Sequence, residues 1–483
     1  MNPPKRHSAL LFGITTGAAL MLLACPIGAQ DLPAVELWPG GAIGPPQDQP
    51  IAAVAVRAGS TLVARSEDDG HGLALYRMVL GRVEPSPAPE LSFTPEPSPF
   101  SPVANPPSTP PDEATPSPTP EPLPAFGASL VGYEDEVVDG LAMASNGRKV
   151  VLGISGHDPE ESLVSAEVWM PGLPDAATNG PVRILERGPA RPTQLAAAVA
   201  PDGTSMLAWS TALPGRPAGL RMRAIQADGR LGPLRLLDPP GVNLSRPAIA
   251  AGPGGFMMAF VRGRADRETS LASPSPSPEP MVWPGATPGN YPRSESVRMD
   301  FENTLAAPGF WARHKIAWLP LDDRAAQSGP ARATASGGDL DHPQIVSRDG
   351  QFDVFWTALR GGGRELRFKA ASLRGWQGPE RYLRTDLHPD LRRPYAVAGV
   401  GRDLWLAIYP QYEEATGSDM VLEGRLYYPE DYAISPPLLL AAASSSISLR
   451  GLVPAGHHTW LALWDQVSGD QHQLEFRPLH VRM

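Results

Sequence analysis

One unit of sequence recurs seven times in the 483-residue chain. It consists of a strand of small apolar residues, a turn with Gly, and a second apolar strand that usually ends in an aromatic residue. The copies are Pro50–Ala64, Gly140–Ile154, Pro192–Trp209, Pro247–Phe260, Pro343–Trp356, Pro394–Tyr409 and Ser448–Trp464. Self-similarity at a regular period predicts an architecture built by repeating one supersecondary unit.

The spacing of the turn glycines gives the length of the unit. Gly147 and Gly203 are 56 residues apart, and Gly350 and Gly401 are 51 apart. Two intervals are longer, and a proline-rich stretch accounts for each. We therefore expect solvated, extended insertions at residues 84–125 and 268–310, the first of which holds 16 prolines between Pro85 and Pro124.

Each unit continues with a third and usually a fourth strand candidate, so the sequence predicts an all-β fold. Four short antiparallel strands repeated seven times are typical of a seven-bladed β-propeller, which we assign to residues 31–483. The last unit has only three strands. The segment Ala34–Trp38 has the missing pattern, and we expect it to close the ring as an N-terminal strand of the last blade. The 58 Pro and 48 Gly exclude a mainly helical protein.

In this architecture the chain resembles the bacterial secreted β-propeller superfamily. The stretch from Ser66 to Leu73 is also similar to the Asp-box of sialidase-like propellers, with Leu73 where an aromatic residue is expected. It occurs once, and its other interpretation is an acidic turn between two strands.

The N-terminus predicts export. Lys5 and Arg6 precede an uncharged run that fits a signal peptide over residues 1–24. Cys25 follows a sequence similar to a lipobox, which implies a lipidated, membrane-anchored protein; cleavage after Ala29 would instead give a soluble secreted or periplasmic protein. No later apolar stretch has membrane-spanning length, so the lipid is the expected membrane contact.

Composition restricts the chemistry. A single Cys permits neither an intramolecular disulfide nor a cysteine metal cluster. A net charge of −10 gives no reason to expect a nucleic acid as partner. No hydrolase, metalloprotease or phosphate-binding motif appears, so we expect no cofactor, no metal and no catalytic residue. We expect the protein to be a monomer.

Several groups of residues have a structural interpretation as well as a functional one. The acidic groups His157–Glu161 and Glu413–Asp419 suit a hard cation or a solvated loop, and His457-His458 suits a metal or a turn. Asn243-Leu244-Ser245 is interpreted as a turn. Five tryptophans are expected in the core between blades, and two in exposed sugar platforms: Trp209, Trp356, Trp405, Trp460 and Trp464 in the core, Trp311 and Trp376 exposed.

The candidate binding site is defined by residues that precede the repeat anchors. Connections into the innermost strands of a propeller reach one face, so these residues are expected to ring one mouth of the central channel. They are Arg191, Arg246, His342 and Arg393. Convergent guanidinium groups favour a carboxylate, sulfate or phosphate, although the acidic residues Asp68, Asp158, Glu413 and Asp465 are predicted on the same face and would neutralise the ring.

Three functions are compatible with these features. We favour an extracytoplasmic binding or scaffold protein that recognises a protein or glycan partner at the channel mouth. In one form of this hypothesis the partner is anionic. The alternatives are a sialidase-like glycoside hydrolase and a structural component of the cell envelope. A fold of this kind hosts many functions, so only the site can decide between them.

Overall fold

The computed structural model describes the following residues: 34–37, 41–42, 51–57, 60–66, 73–79, 120–122, 137–157, 161–169, 182–212, 217–264, 297–298, 314–335, 339–348, 350–360, 363–375, 377–387, 394–400, 404–412, 420–428, 435–443, 446–456, 458–468 and 471–482. The signal peptide, Cys25, Arg393, Trp311, Trp376, His457 and the centre of the Asp-box-like stretch lie outside them, as do Asp158 and residues 413–419. No helix in the described part of the chain is long and apolar enough to cross a membrane.

The described residues form strands and no helix. The strands are β1 Ala34–Leu37, β2 Gly41–Ala42, β3 Ile51–Arg57, β4 Ser60–Ser66, β5 Leu73–Val79, β6 Pro120–Pro122, β7 Val137–Ser145, β8 Val150–His157, β9 Ser162–Trp169, β10 Arg183–Gly188, β11 Arg191–Val199, β12 Ser205–Ala212, β13 Gly219–Ile225, β14 Arg235–Leu237, β15 Val242–Gly252, β16 Gly255–Arg264, β17 Val297–Arg298, β18 His314–Leu321, β19 Arg332–Ala333, β20 Leu340–Arg348, β21 Gln351–Arg360, β22 Gly363–Ala371, β23 Gln377–Leu387, β24 Ala396–Val400, β25 Leu404–Tyr412, β26 Met420–Tyr427, β27 Leu438–Ala443, β28 Ser446–Gly456, β29 Thr459–Ser468 and β30 Gln471–Arg482.

These strands assemble into antiparallel sheets of four main strands each, which is consistent with a β-propeller. The sheets are β3–β4–β5–β6, β7–β8–β9–β10, β11–β12–β13–β14, β15–β16–β18–β19, β20–β21–β22–β23, β24–β25–β26–β27 and β28–β29–β30–β1. The first strand of each sheet contacts the first strand of the next, in the order β3, β7, β11, β15, β20, β24 and β28, and β28 contacts β3. The first strands therefore surround a common axis.

The N-terminal strand completes the last sheet. β1 pairs antiparallel with β30, with Val35 opposite Val481, and β2 also pairs with β30. The prediction for Ala34–Trp38 is confirmed for Ala34–Leu37. Pairing the first strand with the last covers a strand edge that would otherwise expose unpaired backbone groups.

Two short strands come from the segments predicted as solvated insertions. β6, at the end of the first one, pairs antiparallel with β5, with Arg77 opposite Glu121. β17, within the second, pairs parallel with β14. Both join the outer edge of a sheet, the place where a strand tolerates proline because one row of backbone groups needs no partner. The proline content did not predict either strand.

The apolar core lies between neighbouring sheets. Trp209, Trp356 and Trp405 are fully buried, and Trp460 and Trp464 are 4% and 2% exposed, so the prediction that these tryptophans are core residues is confirmed. One cluster joins side chains of β24–β26 to side chains of β28–β30, and another joins β8–β10 to β11–β14. Packing across sheets therefore fixes the position of each first strand beside the axis.

Candidate functional site

A β-bulge recurs at one place in the first strand of five described sheets. The pairing register shifts after Val138 in β7, Pro192 in β11, Ser245 in β15, Asp341 in β20 and Leu449 in β28. The residues that the bulges contain are Asp139, Thr193, Arg246–Pro247, His342–Pro343 and Arg450. A bulge re-aims the side chain that it carries, and all five bulges lie near the N-terminal end of the first strand of their sheet.

The bulges in β15 and β20 place a non-glycine residue in the left-handed region. Arg246 has φ 51° and His342 has φ 54°, a conformation uncommon for residues with a side chain. A hydrogen bond from the backbone amide holds each of them. The Arg246 amide donates to Gln194 Oε1 at 2.5 Å, and the His342 amide donates to Asp341 Oδ1 at 2.7 Å.

The described members of the predicted ring are not all in one register. Arg191 lies opposite Ala212, and the position that corresponds to it in β20 is occupied by Asp341. Relative to the first paired residue after the bulge, Gln194 in β11 and Gln344 in β20, Arg191 lies one position earlier than His342. The reason is Thr193, an additional residue after the Arg-Pro pair. Arg393 lies outside the described residues.

Arg246 and His342 line a common cavity at this mouth of the ring. Its volume is about 410 Å³. The walls come from β11, β15, β20, β28 and the segment that enters β24. The polar and aromatic residues among those that line the cavity are Gln194, Arg246, His342, Gln344, Tyr395 and Arg450. Arg191 is not among the lining residues. A volume of about 300–1,000 Å³ is typical of a small-ligand site.

Sequence reasoning missed Asp139 and Arg450. Neither precedes a proline, and proline was the anchor used to align the repeats. Each is followed by a glycine, Gly140 and Gly451, that is the first paired residue after the bulge. Aligned on this paired residue, Asp139 and Arg450 coincide with Thr193, Pro247 and Pro343 and not with Arg246 or His342, so no signal in the sequence groups them with those two residues.

Carboxylates balance the guanidinium groups near the mouth. Arg246 Nε lies 3.0 Å from Asp341 Oδ1, and Arg450 is paired with Asp465. Arg191 Nη2 lies 2.7 Å from Asp139 Oδ1, and the other oxygen of that carboxylate contacts His157. Asp465 was one of the four acidic residues predicted to neutralise the ring. The mouth offers donors and acceptors side by side.

Hydrogen bonds between sheets fix the wall formed by β20 and β24. The Gln344 amide nitrogen donates to the Tyr395 carbonyl at 2.9 Å, and its oxygen accepts the Val397 amide at 3.1 Å. The Tyr395 hydroxyl donates to the His342 carbonyl at 2.6 Å. Burial raises the pKa of Tyr395 well above its usual value, so the hydroxyl remains a donor. This wall of the cavity is therefore preorganised by hydrogen bonds within the chain.

A second cavity continues along the axis. Its volume is about 350 Å³, and it shares Leu195, Pro247, Gln344, Arg450, Gly451 and Leu452 with the first cavity. Aliphatic side chains at the second position after each bulge line it: Leu141, Leu195, Ile249, Ile345 and Leu452. We call the first cavity the mouth and the second the throat.

The other candidate clusters take up structural contacts. Within the described residues, no three His, Cys, Asp or Glu side chains are placed to hold a metal ion. Glu161 pairs with Arg187 at 3.0 Å. Asn243 lies inside β15, where its side chain accepts the Ala218 amide at 2.9 Å, so its interpretation as a turn was wrong.

No protein-family model and no curated protein sequence matches the chain. Among solved structures, the chain is similar to a protein of unknown function from Dyadobacter fermentans (13% identity, 72% of this chain and 96% of that chain, TM-score 0.41). It is also similar to a PQQ-bound aldose sugar dehydrogenase from Streptomyces coelicolor (11%, 93% and 98%, 0.36) and to a subtype N10 neuraminidase-like protein of A/little yellow-shouldered bat/Guatemala/060/2010 (7%, 71% and 92%, 0.40). The latter two are β-propeller-like proteins.

Proposed function

We propose that the chain is an extracytoplasmic, seven-bladed β-propeller that binds an uncharged glycan at the mouth. Seven units in the sequence and a closed succession of first strands from β3 to β28 support the blade count. The observation that carries the binding function is the mouth itself. It is a cavity of ligand size, built from bulged residues whose guanidinium groups are already matched by carboxylates.

This charge balance favours sugar hydroxyls over an anion. A hydroxyl both donates and accepts hydrogen bonds, so one hydroxyl can meet Arg246 and Asp341 together. An incoming carboxylate or sulfate would approach the Asp341 carboxylate as well as the guanidinium group, and juxtaposed like charges weaken binding. The anionic form of the hypothesis therefore becomes the second choice.

The same pairing bears on the sialidase-like alternative. That reaction class needs guanidinium groups open to a substrate carboxylate, whereas Arg191, Arg246 and Arg450 are each paired with a carboxylate of the chain. We therefore place the function in recognition. A panel of fluorogenic glycosides tests this choice, and turnover by the purified protein would favour a hydrolase.

For the location, we propose export through residues 1–24 and attachment by lipid at Cys25. The test is the partition of the protein into detergent, with Cys25→Ser as the variant. Release of Cys25→Ser into the soluble fraction, or accumulation of its uncleaved precursor, supports the anchor. A wild-type protein that is wholly soluble and begins at Gln30 would contradict it.

The binding test compares two arginine variants on an array of neutral and acidic glycans. Arg246→Met removes a guanidinium group that lines the mouth. Arg230→Met removes one that pairs with Asp228 at 2.6 Å in an exposed turn at the opposite end of the strands, and it serves as the matched control.

We expect neutral glycans to bind the wild type, and Arg246→Met to weaken their binding about tenfold or more, as expected for the loss of a hydrogen bond from a charged group. Arg230→Met should bind like the wild type. Equal binding by wild type and Arg246→Met, or no binding by the wild type, would overturn the proposed function.

A further inference from the structure

Gln194 and Gln344 occupy equivalent positions in two sheets of the ring. Each is the first paired residue after the bulge in its strand, with Gln194 opposite Ser210 and Gln344 opposite Phe355. Both are half-buried, and both line the mouth. The two residues therefore show how the chain uses the same side-chain amide at two places around one cavity.

Gln344 uses both ends of its amide to hold the next sheet. Its nitrogen donates to the Tyr395 carbonyl at 2.9 Å, and its oxygen accepts the Val397 amide at 3.1 Å. A side-chain amide has one acceptor oxygen and one nitrogen with two hydrogens. Gln344 is thus a structural link between β20 and β24.

Gln194 uses only the oxygen of its amide within the described part of the chain. This oxygen accepts the Arg246 backbone amide at 2.5 Å and the Ser210 hydroxyl at 3.3 Å. Because both partners donate, they fix which end of the amide is the oxygen. The nitrogen has no hydrogen-bond partner among the described residues, and it does not belong to the polar atoms there that are buried without one. Solvent therefore reaches it.

The backbone of Arg246 explains the difference between the two glutamines. Arg246 has φ 51° and turns its N–H toward Gln194, whereas Tyr395 turns its carbonyl toward Gln344. An amide that meets an N–H must present its oxygen. The bulge in β15 therefore leaves the amide hydrogens of Gln194 available beside the arginine on which the proposed function depends.

We infer that Gln194 determines specificity at the mouth: its amide nitrogen donates to an oxygen of the bound glycan that carries no hydrogen, namely a ring, glycosidic or carbonyl oxygen. The inference rests on the proposed function and names the group on the glycan that the site selects. The Gln194 nitrogen offers hydrogens only, and the neighbouring Ser210 hydroxyl is fully buried. A sugar hydroxyl bound there would leave its own hydrogen unmatched, whereas an oxygen without hydrogen would not.

The first test compares the stability of Gln194→Glu with that of the matched variant Gln344→Glu. Glutamate keeps an acceptor for Arg246 and Ser210, so Gln194→Glu should have the melting temperature of the wild type. Gln344→Glu sets a carboxylate oxygen against the Tyr395 carbonyl and should melt at a lower temperature. An equal fall in both variants would overturn the inference, because the Gln194 nitrogen would then have a partner within the protein.

The second test measures binding of Gln194→Glu to the neutral glycans of the array. We expect binding to weaken about tenfold, since an oxygen without hydrogen cannot turn round to donate to the new carboxylate. Binding equal to that of the wild type would overturn the inference.

The side-chain amide protons give a direct readout by NMR in protein labelled with isotope in glutamine. The resonances that disappear in Gln194→Glu identify Gln194. Saturation with the neutral glycan that binds most tightly on the array should shift them and slow their exchange with water, while those of Gln344 should not change. Unchanged Gln194 resonances in the bound state would overturn the inference.

The proposed function fails by a different result. Arg246-dependent binding of neutral glycans on the array would leave it standing even if Gln194 proves to make no contact, whereas a wild-type protein that binds no glycan would overturn the proposed function itself.

Discussion

Replacing Arg348 by Met should destabilise the protein through a buried carboxylate that joins two neighbouring sheets. Asp353 on β21 is fully buried. It accepts hydrogen bonds from Arg348 Nε at 2.9 Å and from Trp405 Nε1, on β25 of the next sheet, at 3.1 Å. Arg348→Met leaves the carboxylate with the indole donor but without its cation.

Breaking a buried ion pair at one partner costs about 3–5 kcal/mol, because the other charge stays buried without compensation. The pH dependence gives a second signature. Burial raises the pKa of Asp353 despite the attraction of Arg348, so the folded state binds this proton more tightly than the unfolded state. Removing Arg348 should raise that pKa further. The variant should then lose stability as the pH rises from about 4, where an unfolded aspartate titrates, through the folded pKa.

Urea unfolding of wild type, Arg348→Met, Asp353→Asn and the double variant at about pH 5 and pH 7 measures both effects. The double variant should be more stable than Arg348→Met at pH 7, since an uncharged amide needs no cation. A loss below about 1 kcal/mol for Arg348→Met, with no difference between the two pH values, would refute the reasoning.

Three further predictions concern the insertions, the mouth and the closing strand. Deleting residues 85–117 should leave the melting temperature unchanged, whereas deleting 85–124 also removes β6 and should cost about 1–2 kcal/mol of backbone pairing; equal melting temperatures would show that β6 contributes nothing. Asp341→Asn should strengthen the binding of uronic acids about fivefold, because it relieves about 1 kcal/mol of repulsion at a partly exposed site. Calorimetry at low and high salt measures this, and an affinity of the variant equal to or below that of the wild type would contradict the prediction. Deleting residues 34–42 uncovers the edge of β30 and should cause self-association in light scattering; a monomeric, equally stable variant would argue against ring closure by β1.

The repeat and its closure could be predicted from sequence because both depend on local composition. Turn glycines mark each hairpin, and Gly147 and Gly203 indeed adopt positive φ. The aromatic ends of second strands mark the core, and Trp209, Trp356 and Trp405 are buried there. The alternation in Ala34–Leu37 was enough to predict pairing with the last strand.

The register at the mouth could not be predicted in the same way, because a β-bulge adds one residue without a distinctive composition. Thr193 shifts Arg191 out of the position held by Arg246 and His342. The ion pairs could not be predicted from the sequence either, since Asp341 is adjacent to His342 in the chain but pairs with Arg246 on the preceding sheet. The strand at Pro120–Pro122 was missed because proline argues against a central strand but is tolerated at an edge.

Hydrogen–deuterium exchange with the highest-affinity neutral glycan of the array tests the binding site most directly. The proposed site predicts slower exchange in four segments far apart in the chain, residues 244–249, 340–346, 395–397 and 449–453, with unchanged exchange in the outer strands β10 and β23. Protection confined to outer strands or to the proline-rich segments, with none of these four affected, would contradict a binding site at the mouth of the ring.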